Sequence, residues 1–94
     1  MTTTAPEVAP ARPRADRLPP FAVVLHNDDV NDMVFVVRTV SELARVPMER
    51  AFECMMEAHE EGQAVVLHTH REHAELVVES FQSKGLVATI ERAC

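Results

Sequence analysis

Basic residues are scarce in this 94-residue sequence: nine Lys and Arg stand against fifteen Asp and Glu, which gives a net charge of -6. Proteins that bind nucleic acid normally present a basic face, so this balance argues against a nucleic-acid partner. An acidic surface instead favours cationic partners, and a free α-amino group is a cation. A chain of this length forms one domain at most.

Cysteine, long apolar runs and an apolar leader are also lacking. Cys54 and Cys94 are the two cysteines and lie far apart, without CxxC or zinc-type spacing, which is typical of a reduced intracellular protein. No apolar stretch approaches the roughly 18–20 residues that a membrane span needs. Residues 1–20 have no apolar segment of the signal-peptide kind and carry arginines in their second half. We therefore expect a cytoplasmic protein without a membrane segment.

Proline is concentrated at one end of the chain. Five of the six prolines fall within residues 1–20, where large apolar residues are few. Such a segment cannot bury enough apolar surface to offset the entropy lost on ordering. We expect residues 1–20 to be a flexible, disordered N-terminal extension and residues 21–94 to be the folded core domain.

The pattern of residues 21–94 predicts an α+β fold with the order β-α-α-β-α-β, in which a three-stranded antiparallel sheet packs against three helices. Short β-branched runs indicate strands, and apolar residues at helical spacing indicate helices. Asn31 or Asp32 is expected to cap the first helix, and Gly62 to end the second. The predicted strands are 21–25, 64–69 and 86–90, and the predicted helices are 33–45, 48–60 and 71–84.

Each predicted helix has an apolar stripe that should face the core. Cys54 lies beside the stripe of the second helix and is expected on its flank. The expected inward residues are Met33, Val36, Val37, Val40, Leu43 and Ala44 in the first helix, Met48, Ala51, Phe52, Met55, Met56 and His59 in the second, and Ala74, Val77, Val78 and Phe81 in the third.

Two motifs carry possible chemistry. Asn27-Asp28-Asp29 directly follows the first predicted strand, where turn preferences favour a loop with helix-capping residues, or else a cluster of hydrogen-bond acceptors at a cavity mouth. His59 near the end of the second helix is either a packed histidine or a member of that cluster. Met33, Met55 and Met56 are either core residues or part of an adaptable binding surface.

Together these motifs resemble those of the ClpS adaptor family. That family carries N-D-D after its first strand, T-P-M-x-F-V at the start of its first helix and M-x-x-V-H-x-x-G at the end of its second. The matching segments here, in an overall resemblance that spans residues 21–94, are Asn27-Asp28-Asp29, Met33-Val34-Phe35-Val36 and Met55-Met56-Glu57-Ala58-His59-Glu60-Glu61-Gly62.

The resemblance implies a non-enzymatic adaptor without a cofactor. Such a protein binds the free N-terminal residue of N-degron substrates that begin with Phe, Tyr, Trp or Leu. It delivers them to the N-domain of a ClpA- or ClpC-type AAA+ unfoldase, which works with the ClpP protease. The proline-rich N-terminal extension would be engaged by the unfoldase during transfer, and we expect a monomer.

The resemblance also implies residue roles. Asn27, Asp29 and His59 would accept charge-assisted hydrogen bonds from the α-amino group, and Asp28 would contribute directly or through water. Because a protonated imidazole cannot accept, binding should weaken below about pH 6. The expected hydrophobic side-chain pocket consists of Leu25, Val30, Asn31, Met33, Val36, Met55, Ala58 and Val87.

The sequence departs from the family pattern in several places. Ala58 replaces a usual valine and Val87 a usual leucine, so we expect a wider pocket that accepts larger or β-branched first residues better than a typical member of the family. Glu72 and Glu75 on the third helix correspond to the unfoldase contact of the family. The lysine of that motif is replaced by Val77, which the helical spacing places inside.

Three other functions fit parts of the sequence. His68 and His70 are expected on one side of a strand, with Glu72 and His73 close by. They are able to bind zinc or nickel adventitiously, although a defined third and fourth ligand are lacking. Asp28, Asp29 and His59 are able in principle to form an acid–base set, but no nucleophile accompanies them. A plain interaction domain explains the fold and the acidic surface but not the placement of the two motifs.

Overall fold

Residues 19–92 are described by the structure, a computed structural model, and they form the predicted β-α-α-β-α-β order. The predicted flexible extension, residues 1–20, lies outside the described residues except for Pro19 and Pro20, which precede the first strand. The elements are β1 (Phe21–His26), α1 (Met33–Ala44), α2 (Met48–Glu61), β2 (Gln63–Thr69), α3 (Arg71–Ser83) and β3 (Ala88–Arg92).

The three strands form an antiparallel sheet in the order β2-β1-β3, which confirms the predicted α+β class. Phe21 pairs with Thr69 of β2 on one side and with Arg92 of β3 on the other. The four residues 22–25 are all buried. This burial is consistent with the uninterrupted apolar run of β1 and with its central position between β2 and β3.

The helices form one layer over the sheet. α2 and α3 contact the strands directly, and α1 packs against both of these helices. The inward residues predicted for α3 are all buried, and Phe81 is the largest fully buried side chain. Val23 and Leu25 of β1 belong to the same apolar cluster as these helices. The cavity described below opens where β1 leaves this core.

The inner faces of α1 and α2 differ from the prediction. α2 buries Ala51, Cys54, Met55 and Ala58, whereas Met48, Phe52 and His59 are exposed. The placement of Cys54 on a flank was wrong: its Sγ lies 3.7 Å from the Val65 carbonyl oxygen of β2.

The buried set of α2 has the spacing i, i+3, i+4, i+7, which fits one helix face with smaller side chains than the stripe we predicted. Burial raises the pKa of the Cys54 thiol; the Arg50 guanidinium opposes this effect and the nearby glutamates add to it. The thiol is therefore a neutral core group. In α1 the predicted inward Met33 is also about half exposed.

The structure also shows which residues begin and end these elements. The side chain of Asp32, rather than that of Asn31, caps α1 by accepting hydrogen bonds from the N–H groups of Val34 and Phe35. Gly62 ends α2 with a φ of 96°, a conformation that favours glycine. β3 begins at Ala88 and not at residue 86. No helix within residues 19–92 is long and apolar enough to cross a bilayer.

Candidate functional site

The loop after β1 is joined to the end of α2 through backbone hydrogen bonds. The N–H of Asn27 donates to the carbonyl of Gly62 at 3.0 Å, and the N–H of Gly62 donates to the carbonyl of Ala58 at 2.9 Å. On the other side of β1, the N–H of His26 donates to the carbonyl of Val87 at 2.9 Å. These bonds bring the Asn27 loop beside His59, although the two are far apart in sequence.

A cavity of about 220 Å³ lies at this junction. Its floor is apolar and comes from β1, α1 and α2, and its mouth is polar and comes from the loop after β1 and the end of α2. Most of the predicted binding residues share it. The lining residues are Leu25, His26, Asn27, Asp28, Asp29, Asn31, Met33, Val36, Met55, Ala58 and His59.

Two predicted pocket residues do not line the cavity. Val30 is 92% exposed, because its N–H bonds to the Asp28 carboxylate in a tight loop and its side chain is left in solvent. Val87 is 51% exposed and contributes its carbonyl to His26 instead. The cavity lining therefore does not include these two of the predicted wall residues. Of the two volume-reducing replacements, Ala58 is the one that faces the cavity.

Asn27 and Asp29 stand exposed at the mouth and interact with each other. The Asn27 Nδ2 donates to Asp29 Oδ1 at 3.4 Å. Because the amide nitrogen takes the side facing a carboxylate, the amide oxygen remains as an acceptor. His59 is exposed in the last turn of α2 and lines the same cavity. An amide oxygen, a carboxylate and an imidazole are thereby gathered at one mouth.

Asp28 is used within the loop itself. Its Oδ1 accepts from the N–H groups of Val30 and Asn31, each at 2.9 Å, and its Oδ2 accepts from the Asn31 Nδ2 at 2.6 Å. Partial burial acts to raise the pKa of the Asp28 carboxyl, but the hydrogen bonds from Asn31 and Val30 outweigh it and the pKa is lowered. Asp28 is thus an ionised group that fixes the loop conformation.

Asn31 also connects the loop to the chain segment after α3. Its Nδ2 also donates to the carbonyl of Gly85, 3.0 Å away, in the turn that follows α3. Asp32, the next residue, caps α1. The loop between β1 and α1 is therefore held by side-chain hydrogen bonds near both of its ends.

His26 lines the cavity, although the sequence analysis did not assign it to the site. Its Nε2 lies 2.7 Å from Thr89 Oγ1 on β3, within hydrogen-bond distance. The signal in the sequence was its position: β1 runs one residue further than predicted, so its last residue stands directly before Asn27.

The histidine cluster at the end of β2 is arranged differently from the prediction. β2 ends at Thr69, so His70 lies beyond the strand and does not share a strand face with His68. The His73 Nδ1 lies 2.9 Å from Thr69 Oγ1. Across residues 19–92, no three His, Cys, Asp or Glu side chains converge as a metal-binding group. Glu72 and Glu75 are exposed on α3, outside the cavity lining.

The fold and the site define a small α+β domain with a cavity that is apolar at its floor and lined by hydrogen-bond acceptors at its mouth. The sequence model of the family described as "ATP-dependent Clp protease adaptor protein ClpS" matches residues 16–89. The chain belongs to this ClpS family, as the motifs predicted.

Curated relatives and a solved structure agree with this family. The chain is similar to the ATP-dependent Clp protease adapter protein ClpS of Synechococcus sp. (strain CC9902), with 39% identity over 88% of this chain and 80% of that protein. It is 35% identical to the chloroplastic adapter protein CLPS1 of Chlamydomonas reinhardtii over 95% of this chain, and it spans 56% of the length of that relative.

Among solved structures, the chain is similar to Agrobacterium tumefaciens ClpS2 bound to L-phenylalaninamide. The TM-score is 0.68 and the sequence identity 28%, with 81% of this chain and 99% of that chain covered.

Proposed function

We propose that this protein is an adaptor that binds the free N-terminal residue of N-degron substrates, where that residue is Phe, Tyr, Trp or Leu. It then delivers them to the N-domain of a ClpA- or ClpC-type AAA+ unfoldase for degradation with ClpP. It acts by binding, without catalysis and without a cofactor, and it releases its peptide unchanged. We further propose that it works as a monomer in the cytoplasm.

The polar mouth of the cavity suits a free α-amino group. An ammonium has three donors and no acceptor, and charge-assisted hydrogen bonds are the strong ones. Asn27 offers an amide oxygen, Asp29 a carboxylate and His59 an imidazole nitrogen at the same mouth. In this proposal Asp28 acts mainly by holding the loop, since both of its oxygens already accept hydrogen bonds.

The apolar floor suits the first side chain of the substrate. Leu25, Val36, Met55 and Ala58 are buried and line the cavity beneath the polar mouth. Burial of a Phe or Leu side chain contributes about 1.5–3 kcal/mol. A polar first residue is rejected because its hydrogen-bonding groups would have no partners on this floor.

The similar solved structure supports the same chemistry. L-Phenylalaninamide combines a free α-amino group with a phenyl side chain and an amide in place of the carboxylate, which are the features of an N-terminal phenylalanine. Agrobacterium tumefaciens ClpS2 is bound to it. The cavity here joins acceptors for the amino group to an apolar floor for the ring.

One observation carries the proposal: the mouth of a single apolar cavity gathers Asn27, Asp29 and His59. Fluorescence anisotropy with labelled peptides beginning with Phe, Leu, Trp, Ile or Gly, each with a free or an acetylated N-terminus, tests it. We expect tight binding of the free Phe, Leu and Trp peptides and none of the acetylated ones, because acetylation removes the cation, and the free Ile peptide measures the width of the pocket. Equal binding of free and acetylated peptides contradicts the proposal and favours a plain interaction domain.

Delivery to the unfoldase is the second half of the proposal. Glu72 and Glu75 are exposed on α3, whereas Val77, at the position of the family's lysine, is buried and unable to take part. Charge reversal of both glutamates to lysine should weaken binding to the unfoldase N-domain in a pull-down and leave peptide affinity unchanged. Unaltered unfoldase binding would assign that contact to another surface.

A further inference from the structure

A second apolar depression lies between α1 and α2. We call it the α1–α2 groove; it is lined by Met33, Val34, Val37, Met48, Phe52 and Met55. Four of these side chains, Met33, Val34, Met48 and Phe52, are about half exposed or more. They are the largest apolar groups of their two helices that the core leaves uncovered, apart from the less exposed Phe35.

Contiguous exposed apolar groups of this kind are typical of interaction surfaces rather than of chance. Met48 and Phe52 are one turn apart on α2 and lie on a different face from its buried residues. Leaving them in water gains nothing for the fold of this domain. Their arrangement therefore indicates contact with something outside it.

The α1–α2 groove is continuous with the ligand cavity. Met33 and Met55 line both of them, so these two side chains form the boundary over which one depression passes into the other. The polar acceptors Asn27 and His59 line the cavity and not the groove. When the amino group of a ligand is bound by these acceptors and its first side chain fills the floor, the rest of the ligand must extend across the boundary formed by Met33 and Met55.

We infer that the α1–α2 groove binds the apolar side chain at the third position of the bound substrate. An extended peptide advances about 3.3 Å per residue and its successive side chains point to opposite faces. The third side chain therefore lies on the same face as the first and comes within reach of the groove beyond the boundary formed by Met33 and Met55. The inference rests on the proposed function and adds to it a preference for apolar residues after the first.

The test uses two labelled peptides with a free N-terminal phenylalanine that differ only at positions two and three, Leu-Leu or Ser-Ser. For the unaltered protein we expect the Leu-Leu peptide to bind about fivefold more tightly or better, from partial burial of the leucine side chain at position three. In the variant Met48→Thr with Phe52→Thr, that difference should vanish while the affinity for the Ser-Ser peptide stays the same.

A matched control is Leu76→Thr, which removes an exposed apolar side chain from α3, outside the groove. It should keep the difference between the two peptides. A direct readout comes from ¹³C-methyl spectra of the methionines. The Met48 methyl signal should shift on binding of the Leu-Leu peptide and stay in place with the Ser-Ser peptide.

The possible results separate the two proposals. Equal affinity for both free peptides, or a preference that survives loss of Met48 and Phe52, overturns the groove inference and leaves the proposed function standing. Binding that is insensitive to N-terminal acetylation overturns the proposed function and the inference with it. A self-association of the free chain that the double substitution abolishes would assign the groove to a second copy and overturn the inference.

Discussion

The backbone N–H of Asn27 donates a 3.0 Å hydrogen bond to the carbonyl of Gly62. Asn27 directly follows the central strand β1, and Gly62 ends α2 in a left-handed conformation. This bond holds the acceptor loop beside His59. The two motifs therefore form one cavity mouth because of a main-chain contact.

Removal of an acceptor at the mouth should weaken peptide binding. We expect Asn27→Ala and His59→Ala each to reduce the affinity for a free Phe peptide by roughly 10- to 100-fold, the effect of losing one charge-assisted hydrogen bond. Anisotropy titration measures it. His70→Ala, which changes an exposed histidine outside the cavity, is the control and should bind normally. A normal affinity of His59→Ala would exclude this histidine from the site.

Peptide affinity should decrease as the pH is lowered, because the imidazole of His59 must accept a hydrogen bond. We expect binding about tenfold weaker at pH 5 than at pH 8, because a protonated imidazole has no free nitrogen with which to accept this bond. Titrations at constant ionic strength measure this, with circular dichroism as a check on folding. The His59→Gln variant should lose this weakening at low pH, and its affinity should rise by at most about twofold below pH 8 as the α-amino group of the peptide, whose ordinary pKa is about 7.7–8.0, becomes fully protonated. The His26→Gln variant should keep the weakening at low pH. A flat profile in the unaltered protein removes the acceptor role.

Ala58 should set the width of the cavity. It is buried in the cavity floor, so the unaltered protein should bind Ile and Val peptides at least about fivefold more tightly than a Gly peptide. Ala58→Val adds two methyl groups to the floor and should bring the Ile and Val peptides close to Gly. Thermal unfolding of the variant serves as the control for folding. Ile and Val peptides that bind the unaltered protein no better than Gly would rule out the wider pocket.

Asp28 should stabilise the fold in a pH-dependent manner. Asp28→Asn places an amide opposite the donors of Val30 and Asn31, and we expect a loss of about 1 kcal/mol at pH 7. The lowered pKa means that this stabilisation is present above the ordinary value of 3.8 and is lost as pH falls through the folded-state pKa. Urea unfolding should therefore show the gap between variant and parent closing below about pH 4.

The control for this experiment is Asp29→Asn, since Asp29 is exposed and accepts one long hydrogen bond. Its unfolding free energy should stay within about 0.5 kcal/mol of the parent at every pH. A gap for Asp28→Asn that persists unchanged at pH 3 would mean that the carboxylate charge does not contribute.

Much of the fold followed from local signals. β1 was predictable because its apolar run is unbroken, and the end of α2 because glycine tolerates the left-handed conformation that Gly62 adopts. Asn27 was expected either in a loop with capping residues or at a cavity mouth, the resemblance assigned it to the mouth, and it lines the cavity. These features depend on neighbours in sequence, which a sequence displays directly.

The errors concern contacts between distant segments. α2 carries two overlapping apolar stripes, and only the position of β2 decides that Cys54 turns inward while Phe52 stays outside. Val30 and Val87 were assigned to the pocket by resemblance, but the loop held by Asp28 leaves the first in solvent. Sequence spacing does not contain this information, because it arises from tertiary packing.

The central position of β1 affects when the sheet is able to form during synthesis on the ribosome. β1 is synthesised before both of its neighbours, and β3, which comprises residues 88–92, is the last of the three strands to be synthesised. Pairing between such distant segments forms late, since the intervening chain must be synthesised and the loop closed first. A nascent chain that has emerged only through α3 therefore exposes one edge of its most apolar strand. Its His26 also still lacks its Thr89 partner.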